Sequence, residues 1–171
     1  MSWAVIFSGR ESAGIIFAAA LVLVLGLTAL GLASVFFPWK GLFVFVPGQA
    51  FSVLAADAGL LRYLFAHLFL AVNASTILSI AFMFSCGNMK PAAATILALS
   101  FLFVSVVMEG IPFFDRYDNW FITHHFRCWL YVFQNPIPWW QIVQSQVLLL
   151  AVCATAYVAG ATAFHVRDIK S

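Results

Sequence analysis

The sequence predicts an all-α polytopic membrane protein with four transmembrane helices, and with interfacial or re-entrant helices between the third and the fourth. Of its 171 residues, 64% are hydrophobic and only 8% are charged, and the mean hydropathy is +1.03. A soluble domain is nearer half apolar and about a quarter charged, and one of this size could not bury so much apolar surface. The same figures exclude a disordered chain, a nucleic-acid-binding protein and a secreted disulfide scaffold.

Four stretches with almost no charge are each long enough to cross a bilayer, which takes about 20 mostly apolar residues. They cover residues 13–37, 63–87, 91–110 and 140–164. Pro91 suits the first turn of the third helix, and Pro136 and Pro138 separate the fourth span from the segment before it. The four spans predict a single membrane domain over residues 1–171.

Two further apolar segments are too short or too interrupted to cross the bilayer. Residues 41–56 are broken by Pro47 and Gly48, which is typical of a re-entrant or interfacial segment. In residues 113–135, aromatic side chains recur at helix-like intervals with charges between them. That mixture favours the membrane interface, where aromatic rings lie among the lipid headgroups.

Lysine and arginine do not decide the orientation by number. With four spans, both termini lie on the same side of the membrane as the turn at residues 88–90, and each side carries four of these residues. Those on the terminal side lie directly at helix ends, which favours termini in the cytoplasm. The predicted location is the bacterial cytoplasmic membrane.

The chain lacks the GxxxxGK[ST] phosphate loop, the GxGxxG fingerprint and the HExxH and CxxC metal or redox patterns. We therefore expect no enzyme activity, no cofactor and no binding of ATP except through a partner subunit. The three cysteines, Cys86, Cys128 and Cys153, are scattered along the chain, and the first and last lie in apolar stretches as small hydrophobic residues. Glu109 closes the third span, where a carboxylate at the interface is the ordinary interpretation and a proton or ion relay is the alternative.

Two groups of polar residues are candidates for a site. His67, His124 and His125 fall on one predicted side of the membrane and are candidate metal or haem ligands, although hydrogen bonding at the interface is the interpretation we favour. The second group forms either a polar seam between helices or the lining of a pathway, and the sequence does not choose between them. Its members are Asn73, Gln141, Gln144 and Ser145, the last three predicted to share one helix face.

The last third of the chain resembles the C-terminal end of exporter-type (type 2) ABC transporter permeases. The resemblance is carried by NWFITHHFRCWLYVFQNPIPWWQIVQSQVLLL and by a final span that ends in AFHVRDIKS. The middle of the chain, LLRYLFAHLFLAVNASTILSIAFMFSCGNMKPAAATILALS, is similar to the family's adjacent helix pair with its tight cytoplasmic turn. Family members place short extracellular re-entrant helices before the last membrane helix, and residues 113–133 would correspond to them. Their cytoplasmic tail has the form F-x-x-R-D-[IF], which Phe164, Arg167, Asp168 and Ile169 match here.

The resemblance implies a permease-type subunit of an ATP-driven exporter, without catalysis of its own. It also implies a separate ATPase on the cytoplasmic face, for which the candidate contacts are Arg10, Glu11, Asn88 and Lys90. Family members usually have six spans and this chain has four, so two helices are either lost or supplied by a partner or a second permease copy. The alternative is an accessory subunit of a larger respiratory or photosynthetic membrane complex. Membrane lipid is an expected partner in both cases, and nucleic acid is not.

Overall fold

The protein is an all-α polytopic membrane protein, as predicted, with 82% of its structure helical. The computed structural model describes the backbone of residues 3–38, 40–47, 50–87 and 89–168, and side chains within 12–38, 40–47, 51–87 and 89–164. Four helices in this part of the chain are long and apolar enough to cross a membrane. They are α1 (Trp3–Phe36), α2 (Ala56–Cys86), α3 (Pro91–Glu109) and α5 (Trp139–Asp168).

Helix α2 is longer than the sequence predicted. It begins at Ala56 rather than near residue 63, because Asp57 and Arg62 lie within its first two turns instead of ending the helix. Its 31 residues measure about 46 Å at ~1.5 Å per residue, whereas the hydrocarbon core of a bilayer is about 30 Å thick. The N-terminal part of α2 therefore has length to spare beyond the apolar layer, and Arg62 lies in that part.

Two strands that follow α1 form a β-hairpin, where the sequence predicted a re-entrant or interfacial segment over residues 41–56. Strand β1 (Gly41–Val46) pairs with β2 (Ala50–Ala55) in antiparallel register, with Phe45 opposite Phe51. Alternate side chains divide the hairpin into two faces, so that Leu42 packs toward the bundle and Phe43 is exposed. The β-branched and aromatic residues on both sides of Pro47 favour strands over a helix.

Gly41 is required where β1 begins. Its φ angle is +150°, a conformation that residues with a side chain rarely adopt. A Cβ atom at this position would also lie 2.5 Å from the carbonyl oxygen of Leu54 on the paired strand. Strand β1 can therefore pair with β2 at this point because residue 41 has no side chain.

Helix α2 is the central element of the fold. It packs against α1, α3, α5 and the hairpin, whereas the main contacts of α1 are with α2 alone. In the apolar 18-residue stretch of each helix, about 28% of the residues of α2 are buried inside the protein, against 11% for α1. Small residues such as Ala66 and Ala71 on α2 and Ala94 and Ala98 on α3 are buried, which lets neighbouring helices approach closely.

Three short helices join α3 to α5, where the sequence predicted interfacial helices. They are a 3₁₀ helix (Pro112–Trp120), α4 (Ile122–His125) and a second 3₁₀ helix (Phe126–Phe133), and we call residues 112–133 the cap. A cis Asn135–Pro136 peptide bond follows. By the order of the helices, the cap and the hairpin lie at one end of the bundle, and the start of α1 and the end of α5 lie at the other.

We predict that Gly59→Ala destabilises the protein relative to Gly31→Ala. A Cβ atom at Gly59 would lie 2.8 Å from Leu42 Cβ in the hairpin, whereas one at Gly31 meets nothing within 4 Å. Overpacking costs about 1–3 kcal/mol, while alanine is favoured over glycine in a helix by about 1 kcal/mol. Thermal unfolding in detergent measures both variants. A melting temperature for Gly59→Ala equal to or above that of Gly31→Ala would contradict the packing of the hairpin on α2.

Candidate functional site

The cap is held onto the bundle by polar side chains from three different helices. Each of these side chains contacts a cap residue or the residue directly after the cap, across at least 14 positions of sequence. They are Arg62 and Asn73 on α2, Glu109 on α3, and Ser145 and Gln146 on α5.

Three side chains of the cap contact the carboxylate of Glu109, the last residue of α3. Its Oε1 atom lies 3.2 Å from Arg127 Nη2 and 3.5 Å from His124 Nδ1, and Thr123 Oγ1 donates to Oε2 at 3.0 Å. The Glu109 side chain is only 5% exposed, whereas that of Arg127 is 50% exposed. A buried carboxylate without partners is costly, so these contacts make the position tolerable and fix the middle of the cap to the end of α3.

His125 uses both ring nitrogens, one within the cap and the other toward α5. Nε2 lies 3.0 Å from the backbone carbonyl oxygen of Asn119, and Nδ1 lies 3.0 Å from Ser145 Oγ. Because a carbonyl oxygen can only accept, Nε2 carries the proton, and in the neutral ring Nδ1 accepts from the serine hydroxyl. The residue is buried, so this histidine is fully used in structural hydrogen bonds.

Asn73 holds the cap from within the membrane-spanning part of α2. Its Nδ2 atom donates to the carbonyl oxygen of Phe126 at 2.8 Å. Nearer the start of the same helix, Arg62 Nη1 donates to the carbonyl oxygens of Val132 at 3.2 Å and Gln134 at 3.0 Å. Arg62 and Asn73 are separated by about 16 Å along α2 at ~1.5 Å per residue. The cap therefore dips along α2 to near the middle of that helix, as a re-entrant segment does.

Two cysteines take part in the packing of the site as structural groups. Cys128 in the cap is fully buried and accepts a hydrogen bond from Gln146 Nε2 at 2.9 Å. Burial raises the pKa of the Cys128 thiol, while the hydrogen bonds from Gln146 and the backbone oppose this in part. A raised pKa leaves less of the reactive thiolate. Cys153 on α5 donates to Thr76 Oγ1 on α2 at 3.3 Å.

The structure brings only part of the predicted polar group together. Asn73 and Ser145 are buried at the cap, whereas Gln141 and Gln144 are exposed. The buried stripe of α5 runs through Ile142, Ser145 and Leu149 at helical spacing, so Gln141 and Gln144 lie beside it rather than in it. Gln146, which sequence reasoning left out, contributes to the site instead.

The three histidines that were candidate metal ligands do not converge. His67 Nδ1 bonds to the carbonyl oxygen of Tyr63 on its own helix, His124 faces Glu109 and His125 faces Ser145. Within the described side chains, no group of three or more His, Cys, Asp or Glu residues is arranged to hold a metal ion.

The predicted ATPase contacts lie mostly outside the part of the chain that the structure describes. Arg10 and Glu11 belong to α1, but their side chains fall outside it, as does Asn88 entirely. Lys90 is described and exposed, immediately before Pro91 at the start of α3. In the C-terminal motif, Phe164 is described with its side chain, Arg167 and Asp168 only as helix, and Ile169 not at all.

No family model, curated protein or solved structure matches the chain.

We predict that Glu109→Gln loosens the cap. The variant keeps the shape of the side chain but removes the charge that faces Arg127. A hydrogen bond to a charged group contributes about 1.5–3 kcal/mol, so hydrogen exchange of residues 112–133 should accelerate by about tenfold or more. Hydrogen exchange followed by mass spectrometry measures this directly.

Asp115→Asn is the matched control for Glu109→Gln. It makes the same chemical change at an exposed cap residue, and we expect it to leave exchange in the cap unchanged. Equal exchange rates in the wild type and in both variants would show that Glu109 does not hold the cap.

Proposed function

We propose that the chain is a permease-type transmembrane subunit of an ATP-driven ABC exporter complex, with no catalysis of its own. The observation that supports this most strongly is the cap, a re-entrant set of short helices between the third and fourth spans. The contact between Asn73 and Phe126, at 2.8 Å, extends the cap to near the middle of α2. Short re-entrant helices before the last span are the arrangement that the family resemblance implies for residues 113–133.

The attachment of the cap suits an element that closes one end of a pathway. Its polar links to the bundle are an ion pair and hydrogen bonds from separate helices, beside the apolar packing of Phe133 on Ala66, and each such bond contributes only about 0.5–3 kcal/mol. Small relative movements of α2, α3 and α5 can therefore release individual anchors without unfolding the helices. Once these anchors are released, Asn73 and Ser145 would line the transport pathway instead of closing it.

Energy for transport would come from a separate ATPase subunit. We propose that it docks on the end of the bundle with the chain termini, through Arg10, Glu11, Asn88 and Lys90. This places both termini in the cytoplasm of a bacterial cell and the cap on the outer face of its cytoplasmic membrane. Only 11% of the apolar 18-residue stretch of α1 is buried inside the protein. The rest of its surface is free to contact the two further helices, or the second permease copy, that the family's usual six spans require.

A structural subunit of a larger membrane complex is the second candidate, and the hairpin favours it. Its outward face carries Phe43, Phe45, Phe51 and Val53, each more than 60% exposed. Exposed apolar patches of this kind often mark contacts with other proteins or with membrane. A respiratory or photosynthetic assembly would cover this face with another subunit.

Purification of the native assembly in mild detergent, with mass spectrometry of every co-eluting chain, distinguishes the two candidates. The exporter proposal predicts a co-eluting ATPase that carries a GxxxxGK[ST] phosphate loop. Co-elution of cofactor-bearing subunits without such an ATPase would contradict it and favour the structural subunit.

Two charge-reversal variants let the same experiment test docking at one end of the bundle. Lys90→Glu changes an exposed lysine at the proposed docking end, and Lys40→Glu makes the same change at the opposite end. We expect Lys90→Glu to reduce the amount of co-eluting ATPase, because it puts a negative charge in the docking surface, and Lys40→Glu to leave it at the wild-type level. Equal loss in both variants, or in neither, would contradict docking at this end.

A further inference from the structure

The outward face of the hairpin is a continuous aromatic surface. Side chains alternate between the two faces of the hairpin, and Phe43, Phe45 and Phe51 point outward with more than 60% of each exposed. The Phe51 ring meets the other two edge-on, with its centroid 5.9 Å from that of Phe43 and 6.4 Å from that of Phe45. Val53 is 73% exposed on the same face, whereas Ser52, the polar residue of β2, is buried. We call Phe43, Phe45, Phe51 and Val53 the aromatic face.

Helices α1 and α2 lie side by side in step, so that one can be used to read depth along the other. A Cβ atom at Gly14 on α1 would meet Leu78 on α2, and one at Gly26 would overlap the ring of His67. The twelve positions that separate these two points on α1 match eleven positions on α2. Each step toward the start of α2 is therefore matched by one step toward the end of α1.

Gly59 marks the level at which the hairpin packs on this pair of helices. It comes eight residues before His67 and is therefore level with the position eight residues after Gly26. That position is about 3 Å short of Phe36, where the apolar span of α1 ends, at ~1.5 Å per residue. A Cβ atom at Gly59 would lie 2.8 Å from Leu42 Cβ. The base of the hairpin is thus level with the end of the apolar span of α1.

This level is the boundary between lipid headgroups and acyl chains. The apolar span of α1 has 25 residues and measures about 38 Å, which exceeds a hydrocarbon core of about 30 Å but not a whole bilayer of about 40–45 Å. Its ends therefore reach the headgroup regions. Residues along a strand are ~3.3 Å apart, so Phe43 lies within about 3.3 Å of Leu42 and Phe45 within about 10 Å. The aromatic face consequently stays close to the boundary.

We propose that membrane phospholipid covers the aromatic face, with the phenylalanine rings inserted at the boundary between headgroups and acyl chains. Insertion removes the apolar rings from water, which is favourable. The backbone requires this shallow depth, because a two-stranded sheet leaves N–H and C=O groups unpaired along its edges. Such groups have no partner in hydrocarbon, whereas water and headgroups provide partners at the boundary.

The chain directly before the hairpin also suits a lipid neighbour. Val35, Phe36 and Phe37 at the end of α1 are each at least 70% exposed, so the apolar surface of this span leads into the aromatic face. Lys40, exposed directly before β1, places a cation where lipid phosphate groups lie. Lipid on this face does not depend on transport. A structural-subunit role would instead put another protein there.

Photo-crosslinking in the native membrane identifies what covers the aromatic face. The amino acid p-benzoylphenylalanine in place of Phe51 keeps an aromatic ring and, under ultraviolet light, joins covalently to a C–H group that lies against it. We expect adducts with the mass of a phospholipid, at a yield close to that from the same replacement of Phe103, which is 68% exposed on the spanning helix α3. Replacement of Asp115, an exposed charged residue of the cap, should give several times less.

Two outcomes of the crosslinking would overturn the proposal. One is that the residue at position 51 forms its adducts with another protein chain, and the other is a lipid yield as low as that at Asp115. Replacement of Phe45, which lies on the paired strand and the same face, provides the same test if the protein does not fold with the change at Phe51.

Quenching by brominated phospholipids in nanodiscs measures the depth of the face. Phe51→Trp adds one indole ring, whose fluorescence is the difference between the variant and the wild type. We expect lipids brominated near the glycerol end of the acyl chains to quench it more than lipids brominated near the terminal methyl group. Leu99→Trp, exposed near the middle of α3, is the control and should show the reverse order. The reverse order at position 51, or no quenching there by either lipid, would overturn insertion at the boundary.

Discussion

The pairing of polar side chains on α2 is the constraint on which the rest of the structure depends. This helix crosses the membrane and yet carries Asn73, Thr76 and Ser79, all of them buried. Water is not available in the hydrocarbon layer to satisfy such groups, so the protein must do so. The Thr76 hydroxyl donates to its own helix and accepts a hydrogen bond from Cys153 on α5. Asn73 donates to a carbonyl oxygen of the cap. The central position of α2 follows from these requirements together with the small residues that let its neighbours approach.

The part of α2 that extends beyond the apolar layer connects the hairpin and the cap. Leu54 from the hairpin, Ala66 from α2 and Phe133 from the cap form one buried cluster, with Leu42 and Trp129 packed against it. On the same segment, Arg62 adds hydrogen bonds to the carbonyl groups of Val132 in the cap and of Gln134 directly after it. Two pieces of chain that are distant in sequence thus form one cover over one end of the bundle.

Hydrophobic length predicted the four spans well, because a bilayer imposes the same requirement on every spanning helix. The turns of α2 before residue 63 were not predicted, because hydrophobic length locates the apolar span and not the polar helix that precedes it. The strands were missed because β1, with the sequence GLFVFV, is apolar throughout and lacks the alternation of apolar and polar residues that marks a half-buried strand. Sequence spacing also could not reveal contacts such as Asn73 with Phe126 or Glu109 with Arg127, since these depend on how separate helices pack. Which face of α5 is buried depends on the same packing, so the sequence could not show that Ser145 is buried while Gln141 and Gln144 are exposed.

Hydrogen exchange on Asn73→Leu in lipid nanodiscs tests the dependence of the cap on α2 most directly. Leucine has the same number and branching of side-chain heavy atoms as asparagine and cannot donate to the carbonyl group of Phe126. The matched control is Ser75→Ala, since Ser75 bonds only to the backbone of its own helix. The structure predicts faster exchange in residues 122–133 for Asn73→Leu alone, with α3 unchanged in both variants. Unchanged exchange in residues 122–133 would show that the cap is held without α2, and would contradict the role given to that helix.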